Sequence, residues 1–218
     1  MKLFTLLVTM ISITTQTVHA QAPIRVACVG DSITAGSGLP PQSSYPSQLQ
    51  ALLGNDWQIE NFGVSGRTLL EKGDFPYRKD EAYQKALQSQ PNVVIIMLGT
   101  NDTKPHNWKF ASEFYANYQS LVESFERLPS KPAIFLCRPC PIPGEGNFGI
   151  NDRNLQEAIR DINRLIETKK LGLIDMHAAL HQHPSLIPDR VHPNAEGAQL
   201  MAKTAATALA SRKTEFLR

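Results

Sequence analysis

The sequence has no basic block and no basic helix face. Its 22 Lys and Arg stand against 20 Asp and Glu, a formal net charge of +2. Nucleic-acid binding therefore has no electrostatic support. Beyond the first 20 residues, no segment has the length and apolarity of a membrane helix. No repeat and no low-complexity run is visible. The G-x-x-x-x-G-K-[ST] of a P-loop is absent, and Gly30, Gly36 and Gly38 do not make a G-x-G-x-x-G dinucleotide fingerprint. G-x-S-x-G is absent as well, which disfavours the nucleophile elbow of the common α/β-hydrolase fold.

Cysteine is scarce, with three in 218 residues. Cys28 lies inside an apolar run and reads as a small buried hydrophobe. Cys137 and Cys140 form a C-x-x-C in "CRPCPIP". Redox pairs of this kind sit at a helix N-terminus, and Pro139, Pro141 and Pro143 prevent a helix here. A small disulfide and two unpaired thiols both remain open.

The first residues read as an address. Lys2 is a short basic start, Leu3 to Ile13 is mostly apolar and too short to span a bilayer, and Val18-His19-Ala20 offers a cleavage site. We expect a signal peptide over residues 1–20, cut after Ala20. Residues 21–218 would then form a single domain in a secreted or periplasmic protein. No Cys near the cut suggests a lipid anchor.

Apolar runs alternate with helical periodicities through the rest of the chain. Ile24–Val29, Trp57–Phe62, Val93–Leu98, Ala133–Cys137 and Leu173–Asp175 read as strands. "VVIIML" lacks polar alternation and predicts a central strand buried on both faces. Amphipathic stretches follow at Tyr45–Leu53 and Asp80–Gln88. Stripes at Phe110, Phe114, Leu121, Phe125 and Leu128 and at Leu155, Ile159, Ile162 and Ile166 are core faces. A last helix carries Ala198, Met201, Ala202, Ala205 and Leu209, with Asn194 as N-cap. Such alternation implies a parallel sheet with helices on both faces, and ligands bind outside its carboxyl ends.

The strand ends carry the chemistry. Asp31 and Ser32 follow the first strand, Gly63 ends the second, Asn101 and Asp102 follow the third, and Asp189 and His192 lie before the last helix. A serine hydroxyl is a poor nucleophile until a base takes its proton, and His192 can be that base. Asp189, three residues earlier, can orient the imidazole and stabilise its charged form. A backbone N–H at Ser32, the N–H of Gly63 and the amide of Asn101 can converge as an oxyanion hole.

The blocks "GDSIT", "NFGVSG", "GTND" and "DRVHPN" resemble the four blocks of SGNH hydrolases, the GDSL-type esterases, in order and spacing from Gly30 to Gly197. Ile33 stands where the motif's name has leucine. The resemblance implies a flavodoxin-like three-layer α/β/α sandwich, here with a five-stranded parallel sheet. It also implies Ser32 as nucleophile, His192 as base with Asp189, and Gly63 and Asn101 as oxyanion donors, with no cofactor. His177 and His181 stand at i, i+4 beside His183. No carboxylate beyond Asp175 completes a metal motif, so a polar surface helix is the reading there and no metal is expected.

SGNH hydrolases act on sugar acetates, lysophospholipids, thioesters and aryl esters. The loops "SGRTLLEKGDFPYRKDEAY" and "GTNDTKPHNWKF" are polar and aromatic, with Arg67, Tyr77, His106 and Trp108 as candidate substrate-binding residues. Apolar candidates for an acyl channel are scattered: Leu69, Leu70 and Phe148. "NFGVSGRTLL" followed by "GDFPY" further resembles the carbohydrate acetylesterase-like branch. Short-chain ester hydrolysis on a small-molecule or glycan substrate is therefore expected. A lysophospholipase or thioesterase is the alternative, and a non-catalytic glycan-binding relative a more distant one.

Overall fold

The computed structural model describes residues 22–216. The expected signal peptide and its cleavage site lie outside the described residues.

Five strands form one sheet: β1 (Ile24–Gly30), β2 (Trp57–Gly63), β3 (Val93–Met97), β4 (Ala133–Arg138) and β5 (Gly172–Asp175). They are all parallel in the order β2-β1-β3-β4-β5. Each expected strand is present, shifted by one residue at most at either end. All five residues of the central strand β3 are buried, as its unbroken apolar run predicts.

The side-chain period of two sorts the core into two layers. Val26, Cys28, Val93, Ile95, Phe135 and Cys137 face α2 (Tyr45–Leu53), α7 (Met176–His181) and α8 (Ala195–Ala210). Ala27, Val29, Val94, Ile96, Ile134 and Leu136 face α3 (Glu81–Gln88), α5 (Phe114–Glu126) and α6 (Asp152–Lys169). This is the expected three-layer sandwich. Phe114, Tyr118, Leu121, Val122 and Phe125 bury one face of α5, and truncating a buried Phe there to Ala would cost about 3–5 kcal/mol. Phe110 stands before that helix, because a 3₁₀ turn at Ala111–Glu113 precedes it. Two one-turn helices, α1 (Ser32–Ala35) and α4 (Pro105–Trp108), follow β1 and β3. Asn194 caps α8, its Oδ1 accepting the Gly197 N–H at 2.9 Å, as its position predicts.

All three cysteines are buried unpaired thiols. The disulfide alternative for Cys137 and Cys140 therefore falls. Cys137 sits within β4, and Cys140 Sγ donates to Met201 Sδ at 3.7 Å. Burial pushes all three thiols up. Among the described residues no helix is long and apolar enough to cross a membrane.

Candidate active site

Parallel pairing brings the ends of all five strands to one edge of the sheet. The chain leaves β1 through Gly30-Asp31-Ser32 because α1 folds straight back over the strand end. A Cβ on Gly30 would lie 2.1 Å from Thr34 Oγ1, and one on Gly63 would lie 2.3 Å from the Ala35 N. Both glycines exist for this close approach. Asp31 starts the turn, its Oδ1 accepting the Ile33 N–H at 3.0 Å. Asn61 ties α1 to β2: its Nδ2 donates to the Thr34 carbonyl at 2.9 Å. Ser32 thus begins α1 at the strand edge.

Ser32 Oγ lies 2.8 Å from His192 Nε2, although 160 residues separate them. His192 Nδ1 lies 2.7 Å from Asp189 Oδ2. The other carboxylate oxygen accepts the His192 N–H at 2.6 Å and the Val191 N–H at 2.9 Å. Burial pushes Asp189 up, but these hydrogen bonds outweigh it and hold the carboxyl below its usual range. Asp189 therefore stays ionised toward the imidazole. Val191 anchors the loop from below, buried with Ile142, Ile150, Leu155 and Ile159. Such a relay can draw a proton off the serine hydroxyl.

The expected oxyanion donors divide. The Gly63 N–H is already donated to Asn61 Oδ1 at 2.9 Å. Gly63 therefore serves the packing of α1, and the expectation that its N–H faces substrate is corrected. Three residues on, the Gly66 N–H has no partner among the described residues, and its Cβ position faces open space. Its neighbours bracket the site: Ser65 Oγ contacts Ser37 Oγ just past α1, and the Arg67 carbonyl accepts Asn101 Nδ2 at 3.1 Å. The Ser32 N–H is likewise without a partner among the described residues. Asn101 is buried at the end of β3, with a second, longer contact of 3.4 Å from Nδ2 to Asp31 Oδ2.

The profile of the GDSL-like lipase/acylhydrolase family matches residues 28–200. The chain belongs to that family. Family membership accords with the four blocks and with the edge on which their residues meet. An acetylxylan esterase of Xylanibacter ruminicola is 39% identical over 208 residues, covering 85% of this chain and 43% of that protein. The chain thus spans less than half the length of that relative. Solved structures share the fold. An acetyl xylan esterase, AlAXEase, superposes with a TM-score of 0.70 at 23% identity over 85% of this chain and all of its own. Est24, a carbohydrate acetylesterase from Sinorhizobium meliloti, gives 0.67 at 22% over 86% of this chain and 98% of its own.

Within this GDSL-family site, the expected substrate-binding residues are placed less as foreseen. Tyr77 is 1% exposed, and its Oη donates to the Phe62 carbonyl at 2.7 Å. It is a core residue and offers no stacking face. Trp108 is half-buried against Phe114, with Nε1 donating to Glu157 Oε2 at 3.0 Å, so its indole is committed to the scaffold. Arg67 contributes its carbonyl to Asn101, while its guanidinium pairs with Asp80 at 2.6 Å. His106 is exposed, its Nε2 3.1 Å from Asp74 Oδ2. Leu69 and Leu70 are buried, which removes two of the three apolar channel candidates. His177 and His181 stack at 5.4 Å, and among the described residues no three His, Cys, Asp or Glu side chains gather as a metal site.

Two buried carboxylates were not singled out as site residues from sequence. Asp102 accepts the Leu69 and Leu70 N–H groups at 3.0 and 2.7 Å, fixing the loop that carries Gly66 and Arg67. Burial raises it to about 7, against the pull of those two N–H groups. Burial likewise raises Asp31 to about 6, opposed by the Ile33 N–H. The only signal for Asp102 was its place in "GTND", because its partners lie more than 30 residues earlier.

Proposed function

We propose that the chain is a serine carboxylic ester hydrolase that removes short acyl groups, chiefly acetyl, from carbohydrates. The observation that carries the reading is the Ser32–His192–Asp189 series of contacts at 2.8 and 2.7 Å. In this reading Ser32 Oγ attacks the ester carbonyl as His192 Nε2 takes its proton. His192 then protonates the departing sugar oxygen, leaving an acyl-serine, and activates a water that releases the acid. Asp189 holds Nδ1–H and balances the imidazolium charge.

The oxyanion is met by the N–H groups of Ser32 and Gly66 and by Asn101 Nδ2, which exchanges its 3.4 Å contact with Asp31 for the developing charge. No metal or other cofactor enters. The short-acyl preference is supported by the burial of Leu69 and Leu70, which takes two of the three apolar channel candidates out of reach of an acyl chain. It is also supported by the relative named an acetylxylan esterase. Export belongs to the same reading, with residues 1–20 removed after Ala20.

An acyl-length series of aryl esters and a phosphonate probe test this. We expect kcat/KM to be highest for acetyl and to fall by hexanoyl. An acyl channel would gain about 0.8 kcal/mol per buried methylene, near fourfold in rate. The probe should label Ser32 alone, and Ser32→Ala should keep its fold and lose turnover. A profile climbing to octanoyl would favour a lysophospholipase or thioesterase.

A further inference from the structure

Phe148 is an expensive residue to keep where it stands. It is 59% exposed, the most among the exposed large apolar side chains of the described residues, ahead of Phe75 (56%), Leu52 (48%) and Leu173 (37%). Its φ is +54°, a left-handed conformation that bulky residues rarely adopt and glycine adopts freely. Burial explains neither choice. Its ring, however, lies beside the His192 imidazole, centroids 5.9 Å apart and tilted by 55°.

The backbone around Phe148 is held to the loop that carries His192. Asn147 Oδ1 accepts the Phe148 N–H at 2.8 Å, and Asn147 Nδ2 donates to the Asp189 carbonyl at 3.1 Å. Ile150, whose N–H donates to the Asn147 carbonyl at 2.8 Å, is buried with Val191. The ring's position is thus referred to the same segment that positions the base. Strain concentrated beside reacting groups is a mark of function rather than of folding.

The direction of proton transfer says what the ring meets. His192 must return its proton to the departing oxygen, so the leaving alcohol lies on the histidine side of Ser32. The acyl carbonyl oxygen points to the opposite side, toward Asn101. A ring next to His192 therefore faces the alcohol. An aromatic face packs well on the apolar face of a sugar ring. Phe75 is less available, because the Arg67 guanidinium already lies 5.7 Å over its ring.

Resting on the esterase reading above, we infer that Phe148 is the stacking platform for the sugar that carries the ester, and that it sets the preference for glycan over simple alkyl esters. The test compares Phe148→Gly and Phe148→Trp with wild type in the full chain. Acetate release would be followed by pH-stat from an acetylated xylo-oligosaccharide and from ethyl acetate, which has no ring to stack. For Phe148→Gly we expect kcat/KM on the oligosaccharide to fall about tenfold, mainly through KM. Ethyl acetate turnover should stay within about threefold, and the melting temperature should hold or rise, since glycine accepts the positive φ. Phe148→Trp should retain the oligosaccharide activity. Equal losses on both substrates would overturn the inference, making Phe148 a shield for His192. No loss on either would make the ring idle. If wild type itself fails to release acetate from ethyl acetate and Ser32 stays unlabelled by the phosphonate, the esterase reading falls first and this one with it.

Discussion

The loops after β2 and after β4 flank the strand ends that carry Ser32 and Asn101, and they are held to different extents. The first, residues 64–80, is gripped along its length. Asp102 takes the N–H groups of Leu69 and Leu70, Asn117 Oδ1 takes that of Glu71, and Asn107 Oδ1 takes that of Asp74. Tyr77 closes it through the Phe62 carbonyl. The second, residues 139–151, has glycines at positive φ at 144, 146 and 149 and is tied to the Asp189 loop through Asn147. The clamped loop carries Gly66 and the Arg67 carbonyl, where charge would develop in the transition state. The open loop carries Phe148, where a substrate surface would be met. Groups that stabilise charge need fixed positions, since a donor displaced by a fraction of an ångström loses most of its effect. A stacking surface tolerates adjustment.

The comparison is tested most severely at Asn101, whose amide reaches the clamped loop. Asn101→Ala should lower kcat about 10²–10³-fold with a smaller change in KM, the usual loss for one oxyanion donor. Steady-state kinetics on an aryl acetate reads this directly. A raised KM at constant kcat would make the amide a ground-state contact and dissolve the distinction between the loops.

Releasing the clamp itself should matter less. Asp102→Asn turns an amide N–H₂ toward a backbone donor and should cost about 2 kcal/mol at neutral pH, with roughly tenfold lower kcat as the Gly66 segment loosens. The pH dependence has a defined sign. Asp102 is raised to about 7 in the folded chain, whereas an unfolded Asp titrates near 3.9. Between those values the folded state binds the extra proton, so the carboxyl's contribution to stability falls as pH rises from about 4 to 7. Urea unfolding at pH 5 and 7.5 should show the wild-type advantage over Asp102→Asn largest at the lower pH. An advantage that grows with pH would mean that the two N–H groups outweigh burial.

The mildest perturbation is Asn147→Ala in the open loop. It removes the bonds to Phe148 and Asp189 and should cost about 1 kcal/mol. Turnover of a small aryl acetate should drop only about two- to threefold. A loss as large as that of Asn101→Ala would show that the second loop also fixes the reacting groups.

Much of this molecule was legible before folding. Five apolar runs became five parallel strands, β3 buried throughout at the centre and β2 and β5 partly exposed at the edges. Ser32 stands directly after β1, whose direction the parallel sheet dictates, and His192 and Asp189 reach it from the loop before α8. Asp189 and His192 need only their own short loop. The errors share a cause as well. In "NFGVSG" both Gly63 and Gly66 are plausible backbone donors, and only the Asn61 carboxamide distinguishes them, by taking the N–H of Gly63. Tyr77, Trp108 and Phe148 are alike as aromatics in polar loops, yet one is buried, one is bonded to Glu157 and one faces solvent.

The sequence alone determined which residue types stand at each strand end, and through them the fold and the family, and it supplied the side chains of the proposed mechanism. Tertiary structure decided which N–H groups remain free, which ring is exposed, and that Asp102 is a clamp. Those properties depend on whether a group's hydrogen bonds and surface are already taken by partners tens of residues away. Composition and spacing do not encode that, because it arises only when the strand ends come together.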